Sequence, residues 1–491
     1  MRSPLSAPSS PDTPQAPSLW DASSPAWFQA FRDLPREHGF EPLHVEGTLP
    51  EDLRGTLYRV GPAVFSAFGQ RYAHWFDGEG AVSAVRTAGG QAWGAARLIE
   101  TQHREHERRA GRMLYLRYGT VAPVSPLQRI RGRTLNAANT ALLHWQGRLF
   151  ALYEQGLPTE LHSDELITLG ETNLRGTVRR TFSAHPRRVP ERRATYNFGT
   201  RFAPGGMKLD LYELPDVGRA RCLGTLSLPV TTLLHDFIAT PRYLVFLVPP
   251  LKFHLMRMVF GQGAVGLNLE FDASQGTEVV VVPIDEPDRP VRFTVDPFFL
   301  WHFANGFEEH GELVLDIVRY EDFDINLLLG EFVTGDLKHP PTGRLSRLRL
   351  DPVRRRLSST PLWEVPCEYP SMSSTVACRD RRYVYLLANP PDGPLSPPEL
   401  LAKVDHRTGR AETVSPGPGQ YPSEPLFAPR PGATEEDDGY LLSLVYDSRH
   451  HASHLAVFDA RRLAQGPLAR AWFDHHIPFT VHGLWVPTTP V

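Results

Sequence analysis

Four of the 20 histidines stand at the ends of apolar stretches, where a titratable ring is out of place. His185 lies in FSAHPRR, His235 in LLHDFIATPRYLVF, His302 in LWHFANGF and His482 in FTVHGLWVP. A neutral imidazole taken out of water needs a partner for each ring nitrogen, or it costs roughly 1–3 kcal/mol. A backbone carbonyl and a backbone N–H can supply those partners, and each ring taken singly fits that plain core role. Taken together the four also fit a metal centre, because imidazole is a common ligand of transition metals. Their separations of 50, 67 and 180 residues exclude a ligand motif on one helix or one hairpin. They can meet only if the fold returns distant strand ends to a common axis. His103, His106, His310, His406, His450 and His451 have polar neighbours and read as exposed.

The elements that would have to do this are short strands. RLFALYE, KLDLYEL, RYLVFLVPP, EVVVVPI, VRFTV, ELVLDIVRY, RYVYLLANP, GYLLSLVYD and HLAVFDA are rich in Val, Leu, Tyr and Phe and are cut by Gly, Pro, Asp and Asn. LAKVDHRTGRAETV and LRLDPVRRRLSST read as hairpins. Helical periodicity is confined to 25–33 and LKFHLMRMVFG, Leu251 to Gly261. Many antiparallel strands without an internal linker predict one closed all-β body over 41–491, of the kind a β-propeller forms. The segment 1–40 is Pro/Ser-rich, and its residues 2–18 read as disordered.

Bulk properties exclude some classes. A net charge of −3 gives no reason to expect nucleic acid, and 41% hydrophobic content allows a large core. Three cysteines, with no CxxC pair, suggest a reducing compartment and no zinc ribbon. No signal peptide and no apolar run of spanning length is read, so a cytoplasmic protein is expected. Nothing in the residues speaks to oligomeric state.

Several spaced motifs then resemble those of the carotenoid cleavage oxygenases: EGTLPEDLRGTLYRVGPAVF, HWFDGEGAVSAVR, NAANTALLHWQGRLFALYEQGLPTEL, SEPLFAPRPGATEEDDGYLLSLVYD and VHGLWVP. The resemblance spans about residues 41 to 488. It implies an all-β, seven-bladed β-propeller with Fe(II) on its axis. It also implies O₂-dependent cleavage of a carotenoid or apocarotenoid double bond into aldehyde or ketone fragments. It assigns the iron to His185, His235, His302 and His482. It pairs Glu154 of LYEQG with His235, Glu368 of PCEYPSM with His302, and Glu424 of PSEPLF with His482, leaving His185 without a carboxylate. Thr140 of NAANTALL is implied to stand near the open iron position, although a strand threonine bonded to a neighbour fits it as well. FDGEG reads as a tight hairpin with glycines at positive φ, structural rather than catalytic.

A lipophilic polyene needs a greasy path to the metal and contact with a membrane surface. Leu251, Phe253, Leu255, Met256, Met258 and Phe260 offer such a surface if exposed, and a core helix if not. VAPVSPLQRIRGRTL, Val121 to Leu135, is expected to supply a second part. Tyr153, Trp301 and Phe303 are candidate tunnel residues. Related branches cleave stilbenes or isomerise retinyl esters. In the stilbene branch a lysine precedes the glutamate that here follows Tyr153, which argues against a phenolic substrate.

Overall fold

The computed structural model describes residues 24–488, and the stretch 2–18 lies outside the described residues. Seven antiparallel sheets form the blades of a β-propeller. In chain order, the second to sixth blades span 141–171, 187–228, 238–295, 299–361 and 367–414. The first and seventh blades share the two chain ends. The first covers 38–98 except His44–Gly47 and receives the C-terminal strand Gly483–Pro487 beside Gly55–Val64. The seventh covers 420–472 and receives His44–Gly47 beside Pro467–Trp472. Ring closure is therefore a matter of ordinary strand pairing.

The strands read as unbroken apolar runs because each blade is covered on both faces. In the fourth blade, Leu244, Phe246, Val280 and Val282 pack with residues of the third. The alternate residues Val245, Leu247, Val279 and Val281 pack with the fifth. Successive strand side chains point to opposite faces, so one run serves two interfaces. Each such side chain contributes roughly 1.5–3 kcal/mol on burial. Both expected hairpins are present, as Leu400–Asp405 with Arg410–Val414 and Arg344–Asp351 with Arg356–Pro361.

Among the described residues α-helices are few: α1 (Gln102–Ala110), α2 (Pro126–Ile130), α3 (Leu255–Val259) and α4 (Ile325–Glu331). Ser125 caps α2 in a reciprocal pair with Gln128, and Pro126 fills its first turn. The helix expected over LKFHLMRMVFG is split. Leu251–Phe253 finds a partner strand in Leu269–Phe271, and only Leu255–Val259 remains helical. Within 25–33, Ala26–Phe31 forms a 3₁₀ helix whose Trp27, Phe28 and Phe31 are buried, and His38–Pro42 runs across the boundary expected at residue 40.

Two other expectations are corrected. FDGEG is not a positive-φ hairpin: Trp75–Asp77 is a 3₁₀ turn and Gly78 has φ −62°. Its glycines serve close approach instead. A Cβ on Gly80 would lie 2.4 Å from the Ala138 carbonyl oxygen and 2.6 Å from that of Ala137. Among the histidines read as exposed, His106, His310 and His450 are exposed, but His103, His406 and His451 are half-buried. Their covering groups come from elsewhere in the chain, as when His451 stacks on His476 with ring centroids 4.3 Å apart.

Candidate metal centre

The fold brings His302 out of an apolar strand by a bulge. Along Phe299–Glu309 and the residue before it, Phe298 and Leu300 face the core shared with the fourth blade, while Phe299 and Trp301 face the opposite core. After His302 the parity flips, with Phe303 on the first face and Ala304 on the second. The pairing shows the same shift: Leu300 stands opposite Arg319, but Phe303 stands opposite Ile317. His302 is the extra residue, and a bulge of this kind re-aims a side chain without breaking the sheet. A second shift between Glu368 and Ser371 holds Tyr369 at φ +55°. His185 and His235 sit just before the opening strands of the third and fourth blades, and His482 just before the strand that closes the first.

All four rings converge, with one ligand atom of each within 4.8 Å of the others. His185 Nε2 lies 2.8 Å from His235 Nε2, and His302 Nε2 lies 3.1 Å from His482 Nε2. The outward nitrogens meet carboxylates. His302 Nδ1 is 2.6 Å from Glu368 Oε2, and His482 Nδ1 is 2.8 Å from Glu424 Oε1. His235 Nδ1 lies 2.5 Å from Glu154 Oε1, a hydrogen-bond distance without the ideal angle. Among the described residues His185 meets no carboxylate, and its backbone N–H donates to Ser183 Oγ at 3.2 Å. Three Nδ1–H groups directed outward leave three Nε2 lone pairs directed at the centre, and lone pairs facing one another need a cation between them. The donor set therefore fits a divalent transition metal.

Electrostatics favours the same state. Burial, then the neighbouring imidazoles, holds His185 well below the usual histidine range, so it is neutral. Burial pulls the three glutamates toward the neutral form, but their paired imidazoles, together with further hydrogen bonds and, at Glu424, the charge of Arg59, hold all three below the usual carboxylate range. Glu368 also accepts the Tyr320 hydroxyl at 2.8 Å and the Tyr369 N–H at 2.6 Å. On the opposite side the buried Asp236 accepts the Phe237 and Phe303 N–H groups at 2.7 and 2.8 Å and pairs with Arg187.

A cavity of about 480 Å³ opens on His235, His302 and His482. Trp301 and Tyr153 line it, and Trp301 packs edge-on against His235. Phe303, expected in the tunnel, is instead buried between blades, because the bulge at His302 returns it to the interblade face. Thr140 lines the cavity, donates its hydroxyl to Asn139 Oδ1 at 3.0 Å, and accepts the His482 N–H on its carbonyl at 3.2 Å. Asn139 in turn donates to the Gly78 carbonyl at 2.7 Å, so the FDGEG and NAANT motifs lock together.

Three neighbours of the centre escape the sequence reading. Tyr369 packs against both His302 and His482, Tyr320 holds Glu368, and Arg59 donates to Glu424 Oε2 at 2.7 Å. Arg59 was open to detection, since a charge inside TLYRVGP is as anomalous as a histidine inside LWHFANGF.

Comparison with known proteins agrees with this geometry. A family profile described as retinal pigment epithelial membrane protein matches residues 31–487. The apocarotenoid-15,15'-oxygenase of Synechocystis sp. is 32% identical over 98% of this chain and 99% of its own length. The carotenoid 9,10(9',10')-cleavage dioxygenase of Crocus sativus is 28% identical, over 90% and 85%. The isoeugenol monooxygenase of Pseudomonas putida is 27% identical, over 90% and 94%. A cobalt-substituted Synechocystis apocarotenoid oxygenase superposes with a TM-score of 0.85 at 30% identity, covering 94% of this chain and 98% of that one. With fold, blade count and near-full-length similarity in agreement, the chain belongs to the retinal pigment epithelial membrane protein family, that of the carotenoid cleavage oxygenases.

Proposed function

We propose that the protein is a non-haem iron dioxygenase that cleaves a carbon–carbon double bond of an apocarotenoid or carotenoid. Both oxygen atoms of O₂ enter the two carbonyl fragments, so the reaction needs no external reductant. The observation that carries this reading is the convergence of four imidazole nitrogens, three of whose rings line a cavity walled largely by apolar and aromatic side chains.

His185, His235, His302 and His482 hold Fe(II), which when bound supplies an open position for O₂ and the electrons that activate it. Glu154, Glu368 and Glu424 fix the tautomer of their histidines, so that Nε2 faces the centre and Nδ1 keeps its proton. Four neutral ligands place the negative charge one shell further out than in a carboxylate-ligated site. Thr140, on the cavity wall beside His482, limits what can approach the centre. Trp301, Phe76, Leu329 and Val481 give the polyene an apolar wall and keep water from it.

The entrance supports a lipophilic substrate. Leu127, Ile130, Met256 and Phe260 are 59%, 63%, 61% and 68% exposed, on or beside the contacting helices α2 and α3. Ile130 and Leu255 also line the cavity, so the exposed patch surrounds its mouth. Arg131, Lys252 and Arg257 lie beside these side chains in sequence, suited to lipid headgroups. Peripheral contact with a membrane surface follows, and none of the described helices is long and apolar enough to cross one.

The isoeugenol monooxygenases among the relatives bring a small aryl alkene forward as a second substrate class. Tyr153 argues against a phenolate, because burial pushes its hydroxyl well above the usual tyrosine range and it carries no positive charge. Anaerobic purification with iron, then incubation with carotenoids, apocarotenals, isoeugenol and hydroxystilbenes under ¹⁸O₂, tests the reading. Loss of the visible polyene band and labelled aldehydes are expected. Cleavage of aryl alkenes with no action on any polyene would overturn the substrate class. Isomerisation of retinyl esters without oxygen uptake would overturn the reaction.

A further inference from the structure

We propose that Arg59 is a positioning residue of the metal centre, which holds Glu424 and the residues leading into His482 so that the fourth imidazole is set only when the propeller closes. The inference rests on the reading of the four histidines as metal ligands.

Arg59 stands inside Gly55–Val64 with its side chain 2% exposed. A guanidinium keeps its charge out of water, so such burial requires a paired anion and filled donors. Nη1 donates to Glu424 Oε2 at 2.7 Å, Nε to Thr480 Oγ1 at 3.1 Å, and Nη2 to the Val481 carbonyl at 2.9 Å. Thr480 and Val481 immediately precede His482, whose Nδ1 is held by the other oxygen of Glu424. Gly483, immediately after His482, donates its N–H to Glu424 Oε2 at 2.9 Å and pairs with Arg59 across the strands. One guanidinium thus contacts the carboxylate partner of the ligand and both residues before it. Gly483 makes this approach available, because a Cβ there would lie 2.4 Å from the Tyr58 carbonyl oxygen and 2.6 Å from Arg59 Cδ.

The other two carboxylates are held differently. Glu368 receives a neutral tyrosine hydroxyl, and among the described residues Glu154 has no arginine or lysine in contact. Glu424 is thus the carboxylate of the three that is paired with a cation. Arg59 comes from the first blade, Glu424 from the seventh, and His482 from the closing strand's threshold, the first two standing 365 positions apart. No local segment can assemble this corner.

The test uses metal-free full-length protein titrated with Co²⁺, whose visible d–d bands report ligand geometry without turnover. If wild type fails to bind Co²⁺, the ligand reading itself is wrong and the role of Arg59 falls with it. If wild type binds, Arg59→Gln is expected to bind 10–100-fold more weakly, as for loss of a group that orients a ligand, with altered bands and an unchanged far-UV spectrum. Arg59→Lys keeps the charge but cannot reach three directions, and falls between. Because both residues act on one imidazole, adding Arg59→Gln to Glu424→Gln should cost no more than about two-fold, whereas with Glu154→Gln the losses multiply. The Arg59→Gln/Glu424→Gln pair leaves no buried charge unpaired, which keeps the comparison available if Arg59→Gln alone does not fold. Folded Arg59 variants with wild-type affinity and bands, or losses that multiply equally with Glu424→Gln and Glu154→Gln, would overturn the assignment.

Discussion

At the residue scale the proposed centre distinguishes four histidine ligands from the glutamates that would orient them. If these four hold the proposed iron, replacing His185, His235, His302 or His482 with Ala removes one of four donors, and each variant should lose most of the metal and the turnover while remaining folded. Iron content by elemental analysis checks this, and full occupancy in two of the four would end the assignment. Glu154→Gln, Glu368→Gln and Glu424→Gln should be milder, with metal affinity or activity down 10–100-fold. The physical reason is that an amide can still accept from Nδ1–H but no longer carries the charge that raises the basicity of the ring. Variants indistinguishable from wild type would make these glutamates bystanders.

At the element scale, two features invite tests. The FDGEG turn and the NAANT segment approach so closely that Gly80→Ala must push a backbone carbonyl. A loss of about 1–3 kcal/mol is expected, the range for overpacking, and denaturant melts would show it. The second feature is the apolar rim on α2 and α3. Met256→Gln with Phe260→Gln touches exposed side chains only and adds no charge, so stability should hold while co-sedimentation with anionic lipid vesicles falls. Unchanged vesicle binding would remove the rim from the docking surface. The strand-and-turn rhythm of this chain was legible, both hairpins included. The bulge at His302 was not, because an extra residue in one strand is visible only against its partner.

At the scale of the whole molecule, three histidines outside the centre set an acid limit. Burial pushes His74 to about 4, His454 to about 3 and His476 to about 4, from 6.5. Each is neutral when folded and gains its proton on unfolding, so the unfolded chain binds more protons as pH falls below 6.5. Stability is therefore highest above that pH and declines by roughly 1.4 kcal/mol per unit for each ring until its folded value is reached. Melting temperatures should drop from pH 6.5 toward 4. His454→Gln should show a shallower drop than wild type, a comparison in which metal loss, common to both proteins, cancels. Parallel slopes would show that His454 is not a buried neutral ring.

The sequence by itself determined an all-β body and four histidines set against apolar neighbours, because periodicity and local polarity are written in adjacent residues. Resemblance of motifs pointed to the three glutamates, which by composition look like surface charges. Tertiary structure alone decided which nitrogen of each ring faces the centre and that Phe303 turns away from the tunnel. It also decided that the apolar stretch at 251–260 splits into a strand and a helix that buries Met258 and Val259 while exposing Leu255 and Met256, and that Arg59 reaches Glu424. Each of these depends on which distant segment lies opposite, and strand pairing across a closed ring leaves no trace in the spacing of neighbouring residues.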